Sequence, residues 1–461
     1  MQATLEPQQR NAEENDASKF YQTIWRWHFY AGLIFAPFFI LLAISGSVYL
    51  FKPQIESWLY KDYYYVSAGE KRLAPSEQMK RVTQQYPKSQ VTSFTEGIAS
   101  NRSTEIGIMN GGQMSKVYVN PYNGKVLGKI NDDDRLLEKM KSIHNGELWG
   151  GTFGNRIVEL AACWAFILVL TGMYLWWPRN RKSWWGTFLP RLKKGKRIFW
   201  RDMHAVPAFW LSALLIIFIF TGLPWSGVWG EMVNKAATAT HTGYPAFAFS
   251  FGPKPESTVP KTKDVAKDVA WAAENMPVPK SSSSSIKPLS LNKVAAIAKS
   301  KQLEPGYTIY LPEGKKGVYT LSTNPDRPQK QATLHVDQYS GKTLADLRFN
   351  DYGPVAKAIS IGIALHQGTY FGLANQIMGV LACLGLIGLV ATGVTMWWKR
   401  RPQGKLGAPQ KTPTAQTMKS GTVILMILGI FFPLVGLSLI IVLLLDWLII
   451  RRIPSLKQWA S

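Results

Sequence analysis

Four of the six histidines in this chain recur at matching places in its two halves. His28 precedes Ser45-Gly46 by the same offset as His204 precedes Thr221-Gly222. Further on, His144 precedes Thr171-Gly172 and Trp176-Trp177, while His366 precedes Thr392-Gly393 and Trp397-Trp398. Imidazole is a ligand for zinc, copper and iron, and a side chain of this kind at membrane depth is costly. Its reuse in both halves points to a paired ligand set.

The elements that must position these histidines are apolar helices. A helix crosses a bilayer with about 20 mostly apolar residues, and the sequence predicts five such spans: 25–51, 156–177, 205–229, 373–398 and 421–447. The 461 residues carry a formal net charge of +24, yet the basic residues are not laid out as a nucleic-acid surface. Arg179, Arg181, Lys182, Arg191, Lys193, Lys194, Lys196, Arg197 and Arg201 fall in the loop 178–204. Lys399, Arg400, Arg401, Lys405, Lys411 and Lys419 occupy 399–420. Short Lys/Arg-rich loops stay in the cytoplasm. The expected topology therefore has a cytoplasmic N-terminus (1–24), outer segments over 52–155 and 230–372, and a fifth span leaving the tail 448–461 outside, against which Arg451 and Arg452 argue. The paired tryptophans then anchor helix ends at the inner interface. Cys163 and Cys383 both lie within spans, so neither staples an outer segment, and no cysteine set for covalent haem or an iron–sulfur cluster exists.

Each outer segment carries the same polar unit, a short helix followed by alternating strands. Ser76 is placed to cap a helix to Gln85, ahead of strands near 90–96, 104–109, 116–120 and 125–130. Ser290 precedes the second helix, with strands near 308–311, 318–322, 332–337 and 342–349. Asn123-Gly124 and Ser340-Gly341 read as tight hairpin turns. The stretch Pro253 to Pro288, with its serine run, reads as a linker or mobile loop, interrupted by a short helix around 262–274.

The helix–strand unit with its Asn/Asp-x-Tyr-x-Gly-Lys hairpin follows a His-bearing span and precedes His-x-Gly and a span ending in Trp-Trp. In this combination the chain, from about Tyr21 to Lys399, resembles the PepSY-associated transmembrane family. That family includes iron-regulated membrane proteins and di-haem ferric-siderophore reductases of the bacterial inner membrane. The resemblance implies an all-α transmembrane bundle of about five helices, four of them in a pseudo-twofold repeat, with two α+β PepSY-like extracytoplasmic domains.

His28 is followed at one-turn intervals by Gly32 and Ala36, and His204 by Ala208 and Ser212. Such small-residue stripes receive a flat macrocycle, and they also serve plain helix–helix contacts. In the expected topology His28 and His204 sit at the inner side and His144 and His366 at the outer side. A twofold axis along the membrane normal then sets each equivalent pair face to face. Two b-type haems with bis-histidine ligation follow, held by His28/His204 and His144/His366. Arg26 and Arg201 near the inner histidines, and Lys52 and Arg156 near the outer ones, are placed to meet propionates or to snorkel at the interface. Glu159 pairs with Arg156 or serves a propionate or proton contact. His241 and His335 stay outside the ligand set.

The resulting expectation is a haem-dependent ferric-chelate reductase of the cytoplasmic membrane. It takes electrons from a quinol or a cytoplasmic reductase and passes them to a ferric siderophore, with lipid around it and no nucleic-acid partner. Trp149, Tyr370 and Phe371 are placed for the dock or as interfacial anchors. Two alternatives stand beside it: a PepSY-type sensor binding peptides or envelope components, and a non-haem metal or siderophore transporter, with copper or zinc on the histidines.

Overall fold

The computed structural model describes residues 7–178, 184–243, 262–266, 268–281, 287–323, 325–409, 415–450 and 452–453. Arg179, Arg181, Lys182, Lys411, Arg451, the start of the linker and Ser282–Ser285 lie outside the described residues. The chain divides into two compact units: 1–47, 141–232 and 377–461 form one, and 48–140 with 233–376 the other.

In the first unit, four helices are long and apolar enough to cross a membrane: Lys19–Leu50, Thr152–Trp176, Lys196–Trp225 and Leu373–Arg400, spans one to four below. They coincide with four of the five expected spans, although the third starts nine residues early and already carries His204 in its third turn. The expected fifth span is different. Residues 421–447 form two shorter helices, Ala415–Phe431 and Pro433–Leu445. Proline at 433 removes an intrahelical donor and its ring obstructs the preceding turn, so the helix stops at Phe432. A Cβ on Gly429 would lie 3.0 Å from the Cα of Gly436, whereas seven residues of unbroken helix span about 10 Å. The chain therefore doubles back on two glycines that let the backbones touch. Each arm is too short to cross, and the hairpin packs on span two: the Trp164 indole donates to Ser438 (3.2 Å) and Phe166 meets Phe432 edge-on. The hairpin returns its last described residues toward the end from which it rose, so residues 421–447 are not the single long helix expected as a fifth span.

The second unit is built on one antiparallel sheet of eight strands: β1 (Gln90–Thr95), β2 (Thr104–Asn110), β3 (Gln113–Val119), β4 (Val126–Asn131), β5 (Thr308–Tyr310), β6 (Val318–Thr323), β7 (Ala332–Asp337) and β8 (Thr343–Arg348), in the order β4-β3-β2-β1-β5-β6-β7-β8. The two expected sets of four strands join edge to edge, with Phe94 opposite Ile309, so each unit covers the edge that the other would leave open. Alternate residues Phe94, Ile106, Val117, Ile309, Leu321 and Leu334 pack on one face against Val82 of Pro75–Gln85 and Val294 and Ala298 of Leu291–Ser300. Gly124 and Gly341 adopt left-handed φ of 72° and 73° in the two hairpins, as the turn chemistry requires. Ser76 is not a cap: the helix starts at Pro75 with Ala74 before it, because proline at the first helical position loses no hydrogen bond.

The opposite face explains a second correction. Thr262, Ala266, Ala270, Ala272, Ala273 and Met276, expected in a mobile linker, are almost fully buried. Thr262 and Met276 close this segment on each other (N–H to carbonyl, 2.8 Å), and Ala273 and Met276 pack on Leu347 of β8. It is a strap across the sheet.

Candidate metal centre

In span one, His28 faces His204 of span three, with ring centroids 6.5 Å apart and planes at 82°. Each ring is held from behind by a neighbouring span. The Nδ1 of His28 lies 2.9 Å from the Thr171 hydroxyl of span two. That hydroxyl gives its one proton to the Ile167 carbonyl a turn back (2.8 Å), so its oxygen accepts from His28 Nδ1–H. His204 repeats the arrangement on span four: its Nδ1 sits 3.0 Å from the Leu389 carbonyl and 3.1 Å from the Thr392 hydroxyl, which itself donates to Gly388. Both Nδ1 atoms are therefore donors, and the lone pair of each neutral imidazole is on Nε2. An acceptor on Nδ1 of this kind fixes the tautomer and the ring orientation of a histidine that ligates through its other nitrogen.

Glycine completes the clamp. A Cβ at Gly172 would fall 3.2 Å from the Cε1 of His28, and one at Gly393 3.4 Å from that of His204. A methyl at Gly172 would make the His28 ring give by a few tenths of an ångström, and one at Gly393 would stand in close contact with the His204 ring. Thr171-Gly172 and Thr392-Gly393, two of the Ser/Thr-Gly pairs that marked the repeat in sequence, are thus histidine holders, a role that sequence reading missed although their fixed offsets signalled it.

His144 ends the helix Leu136–His144 and is seated in the same way on span one. Its Nδ1 lies 3.1 Å from the Leu42 carbonyl and 3.1 Å from the Ser45 hydroxyl, which donates to Leu41, while a Cβ at Gly46 would stand 3.1 Å from its Cε1. His366 ends the helix Pro354–His366 in the second unit, where Asn375 donates to the adjacent Leu365 carbonyl. The structure thus brings His28 and His204 together and gives His144 an equivalent seat.

The cationic candidates are engaged locally. Arg26 donates to the Pro409 carbonyl (2.6 Å) and the Tyr30 hydroxyl (3.0 Å). Arg201 and Arg191 share the fully buried carboxylate of Asp202. Lys52 pairs with Glu138 at 2.8 Å. Arg156 stands 3.7 Å from Glu159 and packs over Gly227. Glu159 accepts the Val228 and Trp229 N–H groups, both at 2.8 Å, at the start of the helix Val228–Ala239. A carboxylate there satisfies orphan donors and meets the positive helix end, so its role is structural. The first tryptophan of each pair ties a basic loop to its span: Trp176 donates to the Thr187 carbonyl and Trp397 to that of Leu406.

The other histidines are accounted for within the fold. His241 follows Val228–Ala239 in a left-handed conformation, and His335 is buried in β7.

This set of helices and strands is what the family model of the PepSY-associated TM region describes, and that model matches residues 25–400. The chain belongs to the PepSY-associated transmembrane family. The match runs from the start of span one to the end of span four and includes all four repeated histidines; the hairpin lies beyond it. No curated protein matches the chain.

Proposed function

We propose that this PepSY-associated membrane protein is a transmembrane di-haem b electron carrier that reduces an extracytoplasmic acceptor, a ferric siderophore, to release its iron. The observation that carries the reading is the His28–His204 pair. Two metal–imidazole bonds of about 2 Å each, plus the half-widths of two rings, require roughly 6 Å between centroids, and the observed separation is 6.5 Å. The Nε2 lone pairs of His28 and His204 would hold the iron of a haem between them. Among the described residues no three His, Cys, Asp or Glu gather as a metal cluster, whereas a zinc site wants four protein or water ligands. Two histidines alone favour a metal whose other ligands come from a macrocycle.

Haem, when bound, supplies one-electron chemistry, and two imidazoles leave no open position for substrate. The chain's own residues do the rest. Thr171, Thr392 and the Leu389 carbonyl hold the inner rings, Ser45 and the Leu42 carbonyl hold His144, and His144 with His366 forms the outer pair of the proposal. In this reading the basic loops face the cytoplasm, a quinol or a cytoplasmic reductase is the donor, and the sheet unit is extracytoplasmic and receives the chelate. Reduction to ferrous iron weakens its hold on hard oxygen ligands, so release needs no proton-abstracting side chain.

The test is the purified protein from haem-replete cells. Oxidised and reduced spectra with a pyridine haemochrome assay should give two haems b per chain; a colourless protein would refute the proposal.

A further inference from the structure

Two arginines at the basic-loop end of the bundle have no acidic partner among the described residues. Arg400 closes span four, with its guanidinium 5.0 Å from the Trp25 ring centroid and 5.9 Å from that of Phe29. Arg197, in the first turn of span three, is near enough for the two positive charges to act on each other. Of the other arginines here, Arg191 and Arg201 are neutralised by Asp202, Arg26 is hydrogen-bonded to Pro409 and Tyr30, and Arg401 lies over the Trp398 ring, 3.6 Å from its centroid. Like charges brought together repel unless an anion bridges them.

Their place along the helices says which anion. Arg197 precedes His204 by seven residues, two turns on the same face and about 10 Å nearer the helix start. Arg400 follows Gly393, which backs the His204 ring, by the same seven residues. Trp25 and Phe29, which hold Arg400, flank His28 on span one. Spans one, three and four thus meet at the basic-loop end of the bundle, with the Arg400 guanidinium within about one turn of His28 along span one and Arg197 two turns from His204 along span three. Carboxylates attached to a ring at the histidine level must reach toward that surface, since charge is excluded from the hydrocarbon.

We infer that Arg197 and Arg400 form a carboxylate-binding pair that takes the propionates of a haem held by His28 and His204. The inference rests on the proposed function and moves the propionate role from Arg26 and Arg201, nearer in sequence, to a pair assembled only by the fold. Guanidinium groups suit the task because they bind carboxylates through two parallel N–H donors. A lipid phosphate offers similar anionic oxygens, so the experiment must separate the two.

The full-length protein in nanodiscs, with R197Q, R400Q, the double variant and R197K/R400K, is followed by haem count, redox titration, haem transfer to apomyoglobin and bound phospholipid phosphorus. His28→Ala identifies which redox step belongs to this haem. In the double Gln variant that haem should leave about ten times faster, the loss of charge-assisted hydrogen bonds. Its midpoint should fall, because a nearby cation favours the reduced form. The other haem, unchanged, reports an intact fold, and the Lys pair should restore the midpoint more than the retention. Unchanged transfer and midpoint with both haems present would overturn the arginine assignment alone. Loss of bound phospholipid without change at the haem would assign the pair to lipid and overturn it too. A wild-type protein without haem would overturn this inference together with the function on which it rests.

Discussion

His204 and His335 are both withdrawn from solvent, yet their surroundings use the imidazole in opposite ways. In span three, His204 donates from Nδ1 to Leu389 and Thr392, which leaves the lone pair on Nε2, and its ring centroid lies 6.5 Å from that of His28. In β7, His335 is 1% exposed and both nitrogens are spent: Nδ1 lies 3.0 Å from the Thr320 hydroxyl and Nε2 3.4 Å from that of Thr262. Thr262 also donates to Met276, so it accepts from Nε2–H, and Thr320 donates to Nδ1. One ring is anchored on one side for a ligand, while the other is a satisfied core residue that pins the 262–276 strap. What separates a ligand from a core histidine is the count of nitrogens already engaged, not burial.

The largest expected effect breaks the comparison from both sides. His28→Ala should lower the haem count from two per chain to one, whereas His335→Gln should leave it at two and loosen the sheet unit, seen as faster hydrogen exchange in β6 and β7. Haem loss in the His335 variant with none in the His28 variant would invert the roles.

A second difference appears with pH. Burial lowers the pKa of His335 from 6.5 to about 4. The folded state therefore resists a proton that the unfolded chain accepts near pH 6.5. Stability from this residue is complete above 6.5, declines as pH falls toward 4 and is flat below, a loss of about 3 kcal/mol. Hydrogen exchange of β6 and β7 between pH 7 and 4 should show that decline in the wild type and a shallower one in His335→Gln. Equal slopes would mean that His335 is not the titrating group.

The smallest effect sharpens the membrane half. Gly172→Ala places a methyl 3.2 Å from the His28 ring, whereas Gly388→Ala meets nothing within 4 Å. Overpacking of this kind costs about 1–3 kcal/mol. The first variant should therefore release haem severalfold faster in the apomyoglobin assay, and the second should match the wild type.

Much of this was legible in the sequence because it rests on local periodicity. Four spans follow from apolar length, and eight strands from alternation punctuated by Asn-Gly and Ser-Gly. The histidine repeat was visible through the Ser/Thr-Gly offsets, although the role of those pairs needed the neighbouring helix to be in view. The failures share a cause: hydropathy averages over what single residues decide. Residues 421–447 are apolar apart from Thr422, Ser438 and Asp446, so Pro433 between Gly429 and Gly436 was the sign of a reversal. The alanines at 270, 272 and 273 have no amphipathic period, so nothing marked them as a strap. Arg26 and Arg201, chosen by closeness along the chain, are engaged by Pro409, Tyr30 and Asp202, and spacing from the histidines says nothing about such partners.

The central claim is that His28 and His204 bind one iron from opposite sides, and electron paramagnetic resonance of the oxidised protein tests it most directly. Imidazole planes crossed at 82° leave the two iron d orbitals that overlap with them nearly equal in energy. The account therefore predicts a strongly anisotropic low-spin ferric signal that vanishes in both His28→Ala and His204→Ala. A high-spin five-coordinate signal in the wild type, or a low-spin signal of undiminished intensity in both variants, would contradict it.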